Sequence, residues 1–298
     1  MNVLNKPDFK TIGIVSKPLK EKASEVISNL IAWLKERGKT AILDEDTKAL
    51  LDDYDGKHTR KSDIPSNCDL VIVLGGDGTF LSVARLLVKT DIPILGINLG
   101  SLGFLTETTL TNMYKVIDDV FKGNFEIDNR MVLRTHVHRQ GERIAEYNAL
   151  NDVVINNGAL ARIITMSTFI DNKFVTRYRA DGLIVSTPTG STAYSLAAGG
   201  PIVYPNLDVI TISPICPHTL GNRPIVIPGS SIIEVTLETK TEDVLLTLDG
   251  QVGFTLRSKD VVEIKKSEKP IRIIQSRERN YFETLRTKLG WGNSEKNH

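Results

Sequence analysis

Short, mostly apolar runs alternate with amphipathic segments along the first 125 residues of the chain. The runs at residues 12–15, 40–43, 70–74 and 92–97 are typical of strands buried on both faces. Between them, apolar residues recur at helical spacing in residues 21–38, 80–88 and 111–122. This alternation predicts an α/β fold with a doubly wound parallel sheet, in which ligands bind at the carboxyl ends of the strands.

After residue 125 the pattern changes to strands with few helical signals. Residues 133–137 and 144–147 flank Gln140-Gly141, and residues 163–170 and 174–178 flank a polar turn at 171–173, so both pairs predict hairpins. Further strand-like runs lie at 231–237, 244–248, 261–264 and 271–274, and residues 281–291 have a helical pattern. We therefore predict a first domain of residues 1–125, joined by the tail 278–298, and a β-rich second domain of residues 126–277.

Composition excludes several classes of protein. A length of 298 residues favours two domains, and a net charge of +1 gives no electrostatic reason to expect a nucleic-acid or membrane partner. Cys68 and Cys216 lie far apart without metal-type or redox-type spacing, which favours a reducing, cytoplasmic compartment. The polar first ten residues resemble no signal peptide, and no apolar run approaches the length of a membrane span, so we expect a soluble protein.

The segment Gly75-Gly76-Asp77-Gly78-Thr79 follows the third predicted strand directly and precedes a predicted helix. Glycines allow the backbone to approach an anion, and the N–H groups at a helix start favour negative charge, so the segment is a candidate phosphate-binding loop. A carboxylate is unexpected in a loop that only binds phosphate. Asp77 is therefore a candidate general base, the alternative being a turn or helix-capping residue.

A second polar stretch covers residues 181–195, where hydroxyl side chains, glycines and Tyr194 occur together. Such a run can offer hydrogen bonds to a sugar and an aromatic ring to a base. The alternative, a strand followed by a Pro-Thr-Gly turn and an N-capped helix, fits the composition equally well.

Taken together, the motifs resemble the bacterial NAD kinase family. The resemblance rests on residues 75–79, 98–105, 151–152 and 181–201 in the family's order, and on a similar tail at 281–285. The first motif alone also resembles phosphofructokinases and diacylglycerol or sphingosine kinases. The resemblance implies transfer of the γ-phosphoryl of ATP to the 2′-hydroxyl of the adenosine ribose of NAD, giving NADP. It also implies Mg²⁺ on the phosphates and a cytoplasmic homo-oligomer, either a dimer or a tetramer.

The resemblance also implies roles for individual residues. Asp77 would be the catalytic base, and the phosphates would contact Gly75, Gly76, Gly78 and Thr79. NAD would be bound by Gly78, Phe104, Asn151, Asp152, Arg179, Asp181, Thr192, Ala193, Tyr194 and Gln251. The family often has Glu at the position of Asp152, so its reach here is one methylene shorter. Two alternatives stay open: Phe104 as a core residue, and residues 249–251 as a simple β-turn.

His136 and His138 alternate on a predicted strand and therefore share a face, which is compatible with a shared metal ion. No third ligand accompanies them at a telling spacing, so we predict no metal held by the protein. The basic residues at 130, 134, 139 and 143 are predicted to be solvated or to lie at subunit contacts.

Two other functions compete with NAD phosphorylation. One is a kinase acting on a lipid or sugar phosphate, which gives no reason for Asn151-Asp152 or for the hydroxyl-rich stretch. The other is a module that senses NAD or NADP without turnover, in which Asp77 is only structural. Formation of NADP from ATP, Mg²⁺ and NAD separates the three functions. The motifs leave open whether polyphosphate replaces ATP and whether NADH is accepted.

Overall fold

The computed structural model describes residues 8–17, 21–100, 103–106, 108–158, 163–219, 221–240, 244–275 and 280–291. Contacts between residues divide the chain into two compact units. The first comprises Met1–Asp128 and Arg272–His298, and the second comprises Asn129–Ile271. The sequence-based division lay at residues 125 and 277.

The first unit alternates strands and helices. Its strands are β1 Thr11–Ser16, β2 Thr40–Asp44, β3 His58–Thr59, β4 Leu70–Leu74, β5 Ile94–Asn98, β6 Thr108–Thr109 and β7 Glu126–Arg130, which ends just past the unit boundary. Its α-helices are α1 Glu21–Glu36, α2 Glu45–Lys48, α3 Asp77–Leu87 and α4 Met113–Lys122, with 3₁₀ turns at Lys61–Ser66 and Leu110–Asn112.

The strands of the second unit are β8 Leu133–Arg139, β9 Glu142–Ala149, β10 Asp152–Asn157, β11 Ile164–Ile170, β12 Lys173–Ala180, β13 Gly182–Ser186, β14 Val209–Ile215, β15 Ile225–Pro228, β16 Ile233–Leu237, β17 Val244–Leu248, β18 Val252–Leu256 and β19 Val261–Lys266. A 3₁₀ turn at Thr189–Thr192 leads into α5, Tyr194–Ala197. The chain then returns to the first unit with β20 Ile271–Gln275 and α6 Tyr281–Leu289.

The sheet of the first unit has the strand order β3-β2-β1-β4-β5-β20-β7, with β6 beside β5. Its central pairs β2–β1, β1–β4 and β4–β5 are parallel. Strand β4 is buried at every position because residues on both faces of a covered parallel sheet are removed from water. The predicted α/β class is therefore confirmed. The sequence-based division assigned residues 271–274 to the second domain, whereas β20 pairs with β5 in this sheet.

The second unit consists of two antiparallel sheets. One has the order β15-β14-β13-β10-β17-β18 and the other has the order β12-β11-β16-β19-β8-β9. Their inward side chains form one apolar core, in which Val153 and Leu246 of the first sheet pack with Val137, Met166 and Val235 of the second. Alternating burial along β16 and β17 is the expected result of one face packing on that core.

Both predicted hairpins are confirmed. Strands β8 and β9 are joined at Gln140 (φ 54°) and Gly141 (φ 86°), and β11 and β12 are joined at Asp171 (φ 48°) and Asn172 (φ 61°). Positive φ at both central residues is the geometry whose twist matches that of the flanking strands. Glycine, asparagine and aspartate tolerate this geometry best, so the polar turns were readable from the sequence.

Candidate functional site

The glycine-rich loop lies at the carboxyl edge of the parallel sheet. It connects β4 to α3, and the N–H of Gly75 donates to the carbonyl of Ile97 on the neighbouring β5 over 2.9 Å. A Cβ on Gly75 would lie 2.7 Å from Oγ1 of Thr79, whereas a Cβ on Gly76 would meet nothing within 4 Å. Gly75 is therefore required for packing within the loop, while Gly76 keeps open space beside its backbone.

Asp77 is the first residue of α3, but it does not cap that helix. Its Oδ1 accepts hydrogen bonds from the backbone N–H groups of Leu105 at 3.0 Å and Thr106 at 3.2 Å and from the Thr106 hydroxyl at 3.1 Å. Among the described residues, its Oδ2 accepts one hydrogen bond, from the N–H of Phe104 at 2.9 Å. The carboxylate thus holds residues 104–106 against the loop, with one oxygen more heavily committed than the other.

Gly103 makes this arrangement possible, because a Cβ at its position would run into Oδ1 of Asp77. Asn98 supports the same segment: its amide nitrogen donates to Oγ1 of Thr106 over 3.0 Å, and its oxygen accepts from Gly100 N–H over 2.7 Å. Phe104 itself is half-buried, while the next residue, Leu105, is buried. Phe104 is therefore not a core side chain. Residues 101 and 102 of this motif lie outside the described part of the chain.

One cation at this edge was missed by the sequence analysis. Lys17 directly follows β1, and Ser16, the last residue of β1, is the register partner of Leu74, the last residue of β4. The Ser16 hydroxyl also donates to the Leu74 carbonyl over 3.2 Å. Exposed Lys17 therefore follows β1 at the same sheet edge as the Gly75 loop. Strand order cannot be read from the sequence, so no sequence signal placed Lys17 near the Gly75 loop.

In the second unit, Asp249 organises the segment that contains Asn151 and Asp152. Its carboxylate accepts the backbone N–H groups of Leu150 at 3.1 Å, Asn151 at 2.7 Å and Asp152 at 3.2 Å. Asp249 (φ 51°) and Gly250 (φ 64°) form the turn between β17 and β18. The β-turn expected as an alternative for residues 249–251 is present. The side chain of Asp249 in this turn also holds Asn151 and Asp152 in place.

Packing also brings the hydroxyl-rich stretch to Asn151. The Thr187 hydroxyl donates to the Leu150 carbonyl over 2.6 Å and accepts the N–H of Gly190 over 3.1 Å. A Cβ on Gly190 would collide with the Asn151 backbone. Close packing of two backbones therefore explains this glycine.

Asn151, Asp152 and Asp249 lie at a cavity of about 260 Å³. It is lined by Asn151, Asp152, Val154, Asn156, Ala193, Tyr194, Thr247, Asp249 and Gly250. Of the residues predicted to bind NAD, the structure brings Asn151, Asp152, Ala193 and Tyr194 together here. Thr192, Arg179, Asp181 and Gln251 are not among the lining residues of this cavity. Asp181 precedes Gly182, which pairs with Asn156, whereas Asp152 pairs with Ser186 at the other end of β13.

The cavity presents hydrogen-bond acceptors. Asp152 is 4% exposed, and burial together with the negative charge of Asp249 raises the pKa of Asp152 to about 7, against a smaller opposing effect of the Tyr194 backbone N–H. Within the described residues, the buried side-chain oxygens of Asn151 and Asn156 have no hydrogen-bond partner. Unsatisfied buried acceptors are costly, so these atoms are suited to a ligand that brings hydroxyl or amine donors. No sequence motif pointed to Asn156.

The prediction that Arg130 is solvated or at a subunit contact is wrong. Arg130 is 2% exposed, and its guanidinium donates to Oγ1 of Thr189 over 3.1 Å. Arg139 forms a bidentate ion pair with buried Asp260, in which Nε donates to Oδ1 over 2.8 Å and Nη2 donates to Oδ2 over 2.7 Å. Arg143 is exposed, as expected. Whether an arginine is buried depends on partners that are distant in the chain. The residues next to it in the sequence do not identify those partners.

A loop open to anions at the edge of a parallel sheet, and a cavity of acceptors suited to sugar hydroxyls, are what an enzyme needs to hold a nucleotide by its phosphates and its ribose. Each unit therefore carries one feature expected of a nucleotide-binding phosphotransferase. Comparison with known proteins gives the family. The model of the ATP-NAD kinase N-terminal domain matches residues 12–125, and that of the C-terminal domain matches residues 150–276. The chain belongs to the ATP-NAD kinase family.

Individual relatives agree with this assignment. The chain is 51% identical over 285 residues to the NAD kinase of Geotalea daltonii, covering 95% of this chain and 99% of the relative. It is 52% identical over 284 residues to the NAD kinase of Geobacter sulfurreducens, with the same coverage of 95% and 99%.

Two solved structures resemble this chain over nearly its whole length. Yeast NADH kinase complexed with NADH aligns with a TM-score of 0.87 at 29% identity, covering 96% of this chain and 89% of that one. An NAD kinase from Archaeoglobus fulgidus in complex with ATP aligns with a TM-score of 0.74 at 25% identity, covering 94% and 98%. None of the helices in the described part of the chain has the length and apolarity needed to cross a membrane.

Proposed function

We propose that this protein transfers the γ-phosphoryl group of ATP to the 2′-hydroxyl of the adenosine ribose of NAD, giving NADP and ADP. Membership of the ATP-NAD kinase family supports the reaction class. The single observation that carries the mechanism is the unequal bonding of the two Asp77 oxygens: among the described residues, Oδ1 accepts from three donors and Oδ2 from one.

Asp77 acts in this proposal as the general base through Oδ2. A carboxylate oxygen has two lone-pair directions, so an oxygen with one donor keeps capacity for a second hydrogen bond. As the ribose oxygen bonds to the γ-phosphorus, the bond from that phosphorus to the β,γ-bridging oxygen breaks, ADP leaves, and the hydroxyl proton passes to Oδ2. Three donors fix Oδ1 and therefore hold the carboxylate in one orientation. Much of the rate acceleration is assigned to this orientation of the base.

The phosphates are assigned to the loop formed by Gly75, Gly76, Gly78 and Thr79. The N–H groups of Gly75 and Thr79 already donate to the carbonyls of Ile97 and Gly76, so these two residues shape the loop and the phosphates are assigned to the backbone of Gly76 and Gly78. The open space beside Gly76 and the exposure of Gly78 support this assignment. Lys17 adds a positive charge at the same sheet edge. Oδ1 of Asp77 is occupied by Leu105 and Thr106, and Oδ2 is assigned to the ribose proton, so no side chain of the loop is assigned to Mg²⁺. We propose that Mg²⁺ enters as part of the ATP substrate, where it neutralises phosphate charge.

NAD is assigned to the acceptor-lined cavity. The Asn151 oxygen and the Asp152 carboxylate are proposed to accept ribose hydroxyls, and the ring of Tyr194, which is 43% exposed, is available to stack on a base. Phe104 is proposed to cover the adenine. Thr192, Arg179, Asp181 and Gln251 stay as predictions that rest on the family resemblance, as do the cytoplasmic location and the homo-oligomer.

The test is to incubate the protein with ATP, Mg²⁺ and NAD and to quantify NADP with an NADP-specific dehydrogenase. We expect NADP in equal amount to ADP. Measurable NAD binding without NADP would contradict the kinase function. Asp77→Asn is assayed in parallel for NAD affinity and for turnover, because its NH₂ group would face backbone N–H donors of residues 104–106; a loss of turnover with unchanged NAD affinity assigns the effect to the base.

A further inference from the structure

Three neighbouring strands of the second unit place two histidines and two glutamates on one face of their sheet. His136 on β8 is the register partner of Glu263 on β19 and of Glu146 on β9. His138 lies two residues further along β8 and therefore on the same face. Val137 between them points into the apolar core, so this face is the one away from the core.

Side-chain atoms of this cluster lie at distances close to those of a metal site. Nδ1 of His136 is 3.2 Å from Oε1 of Glu263, and Nε2 of His138 is 4.0 Å from Oε2 of Glu263. One ligand atom from each of these three residues lies within 4.8 Å of the others. Ligands held tetrahedrally at about 2.1 Å from Zn²⁺ are about 3.4 Å apart, so small side-chain rotations suffice to enclose an ion.

The Nε2 atom of His138 is available to bind a ligand, and the Nε2 atom of His136 faces a carboxylate. His136 is 7% exposed, and within the described part of the chain Nε2 of both histidines is buried without a hydrogen-bond partner. Nε2 of His136 lies 3.4 Å from Oε2 of Glu146. Metal-bound histidines usually donate their second ring N–H to a carboxylate, and Glu146 is placed for that role.

We propose that His136, His138 and Glu263 form a binding site for a divalent transition metal of the Zn²⁺ type, with Glu146 as a positioning residue. His136 would bind through Nδ1 and His138 through Nε2, with water completing the tetrahedron. Binding requires a neutral imidazole and therefore releases a proton when the histidine is protonated. It also requires Lys265, whose Nζ lies 2.8 Å from Oε1 of Glu263, to move; its side chain is 36% exposed and can do so.

This site is separate from the acceptor-lined cavity. The cluster lies on β8, β9 and β19 of one sheet, whereas the strand residues of the cavity come from β10 and β17 of the other. A metal bridging β8 and β19 ties two strands together, so we expect it to raise thermal stability by binding the native state. The inference does not depend on the proposed kinase mechanism.

The first experiment uses the full chain treated with EDTA and freed of nucleotide. Titration with Zn²⁺ by calorimetry is expected to give one strong site per chain, and Co²⁺ is expected to give the intense visible absorption of a tetrahedral complex. His138→Gln and Glu263→Gln are each expected to weaken Zn²⁺ binding more than tenfold and to abolish the Co²⁺ band. Glu146→Gln is expected to weaken binding by roughly 10- to 100-fold while the band remains.

His218→Gln, which changes an exposed histidine outside the cluster, is the matched control and is expected to leave affinity unchanged. The proposal is overturned if the wild-type chain shows no tetrahedral Co²⁺ band. It is equally overturned if His138→Gln binds Zn²⁺ as tightly as the wild type. In either case the two histidines and two glutamates form an ion-pair cluster only. The wild-type spectrum decides the matter even where a variant folds poorly.

Discussion

The backbone N–H of Phe104 donates a hydrogen bond to Oδ2 of Asp77 over 2.9 Å, although 27 residues separate them. This bond ties together two residues that the sequence suggested for different tasks, proton transfer and adenine contact. Because the same carboxylate also holds Leu105 and Thr106, displacing Asp77 would also displace the backbone that carries Phe104. Variants at Asp77 must therefore be assessed for both turnover and binding.

Asp77→Asn is expected to lower kcat by roughly 10²- to 10⁴-fold, because an amide cannot accept the ribose proton. Steady-state kinetics with NADP detection measures kcat, and calorimetry measures NAD affinity. Thr106→Val is the control, since it removes one of the three donors to Oδ1 and leaves Oδ2 untouched. A loss of kcat in Thr106→Val as large as in Asp77→Asn would mean that the carboxylate acts only by holding the segment.

Gly76→Ala is expected to keep the fold and to impair ATP binding. A methyl group at this position meets no protein atom within 4 Å, so the free energy of unfolding should change by less than about 0.5 kcal/mol. The same methyl would occupy space proposed for phosphate, so KM for ATP should rise at least tenfold.

Gly75→Ala provides the opposite case. Its methyl would lie 2.7 Å from Oγ1 of Thr79, a buried side chain, so overpacking should destabilise the fold by about 1 to 3 kcal/mol. Urea unfolding of both variants compares the two effects. Equal destabilisation of the two variants would contradict this assignment of roles.

Asp152 makes stability depend on pH. Its pKa is raised from 3.8 to about 7, first by burial and then by the charge of Asp249, so the native state holds a proton that the unfolded chain releases. Stability relative to Asp152→Asn should therefore fall as pH rises from about 4 to 7, by on the order of 4 kcal/mol in total, and should stay constant above that range.

The measurement is denaturant unfolding of both proteins between pH 5 and 8. Asp53→Asn, at an exposed position, serves as a control and should follow the wild-type curve. A constant difference between wild type and Asp152→Asn across this range would show that the carboxyl group is not buried as described.

Arg139→Met is expected to destabilise the second unit strongly, because it leaves the carboxylate of Asp260, which is 1% exposed, without its charged partner. Arg143→Met is the matched control on the same hairpin, since exposed Arg143 pairs with Glu146 at 3.3 Å and such pairs contribute little. Thermal unfolding should show a several-fold larger drop in Tm for Arg139→Met. Similar drops in both variants would contradict the importance of the buried pair.

Much of the fold was predictable from local sequence patterns. Runs such as residues 70–74 are apolar because a covered parallel strand is buried on both faces, and the hairpin at Gln140-Gly141 needs residues that tolerate positive φ. The candidate base was equally visible, since Asp77 sits between glycines at a strand-to-helix junction. These features depend on neighbours in the chain, and a single sequence records such neighbours directly.

The α/β and β-rich organisation, the glycine-rich loop and the family to which the motifs belong were thus readable from the amino-acid sequence. Three contacts became visible only in the folded chain: Asp249 holds Asn151 and Asp152, Arg130 is buried against Thr189, and Glu263 lies beside His136. Each of these contacts joins residues at least 59 positions apart. Strand order and register create such contacts, and hydrophobic periodicity along one chain does not encode which strands become neighbours.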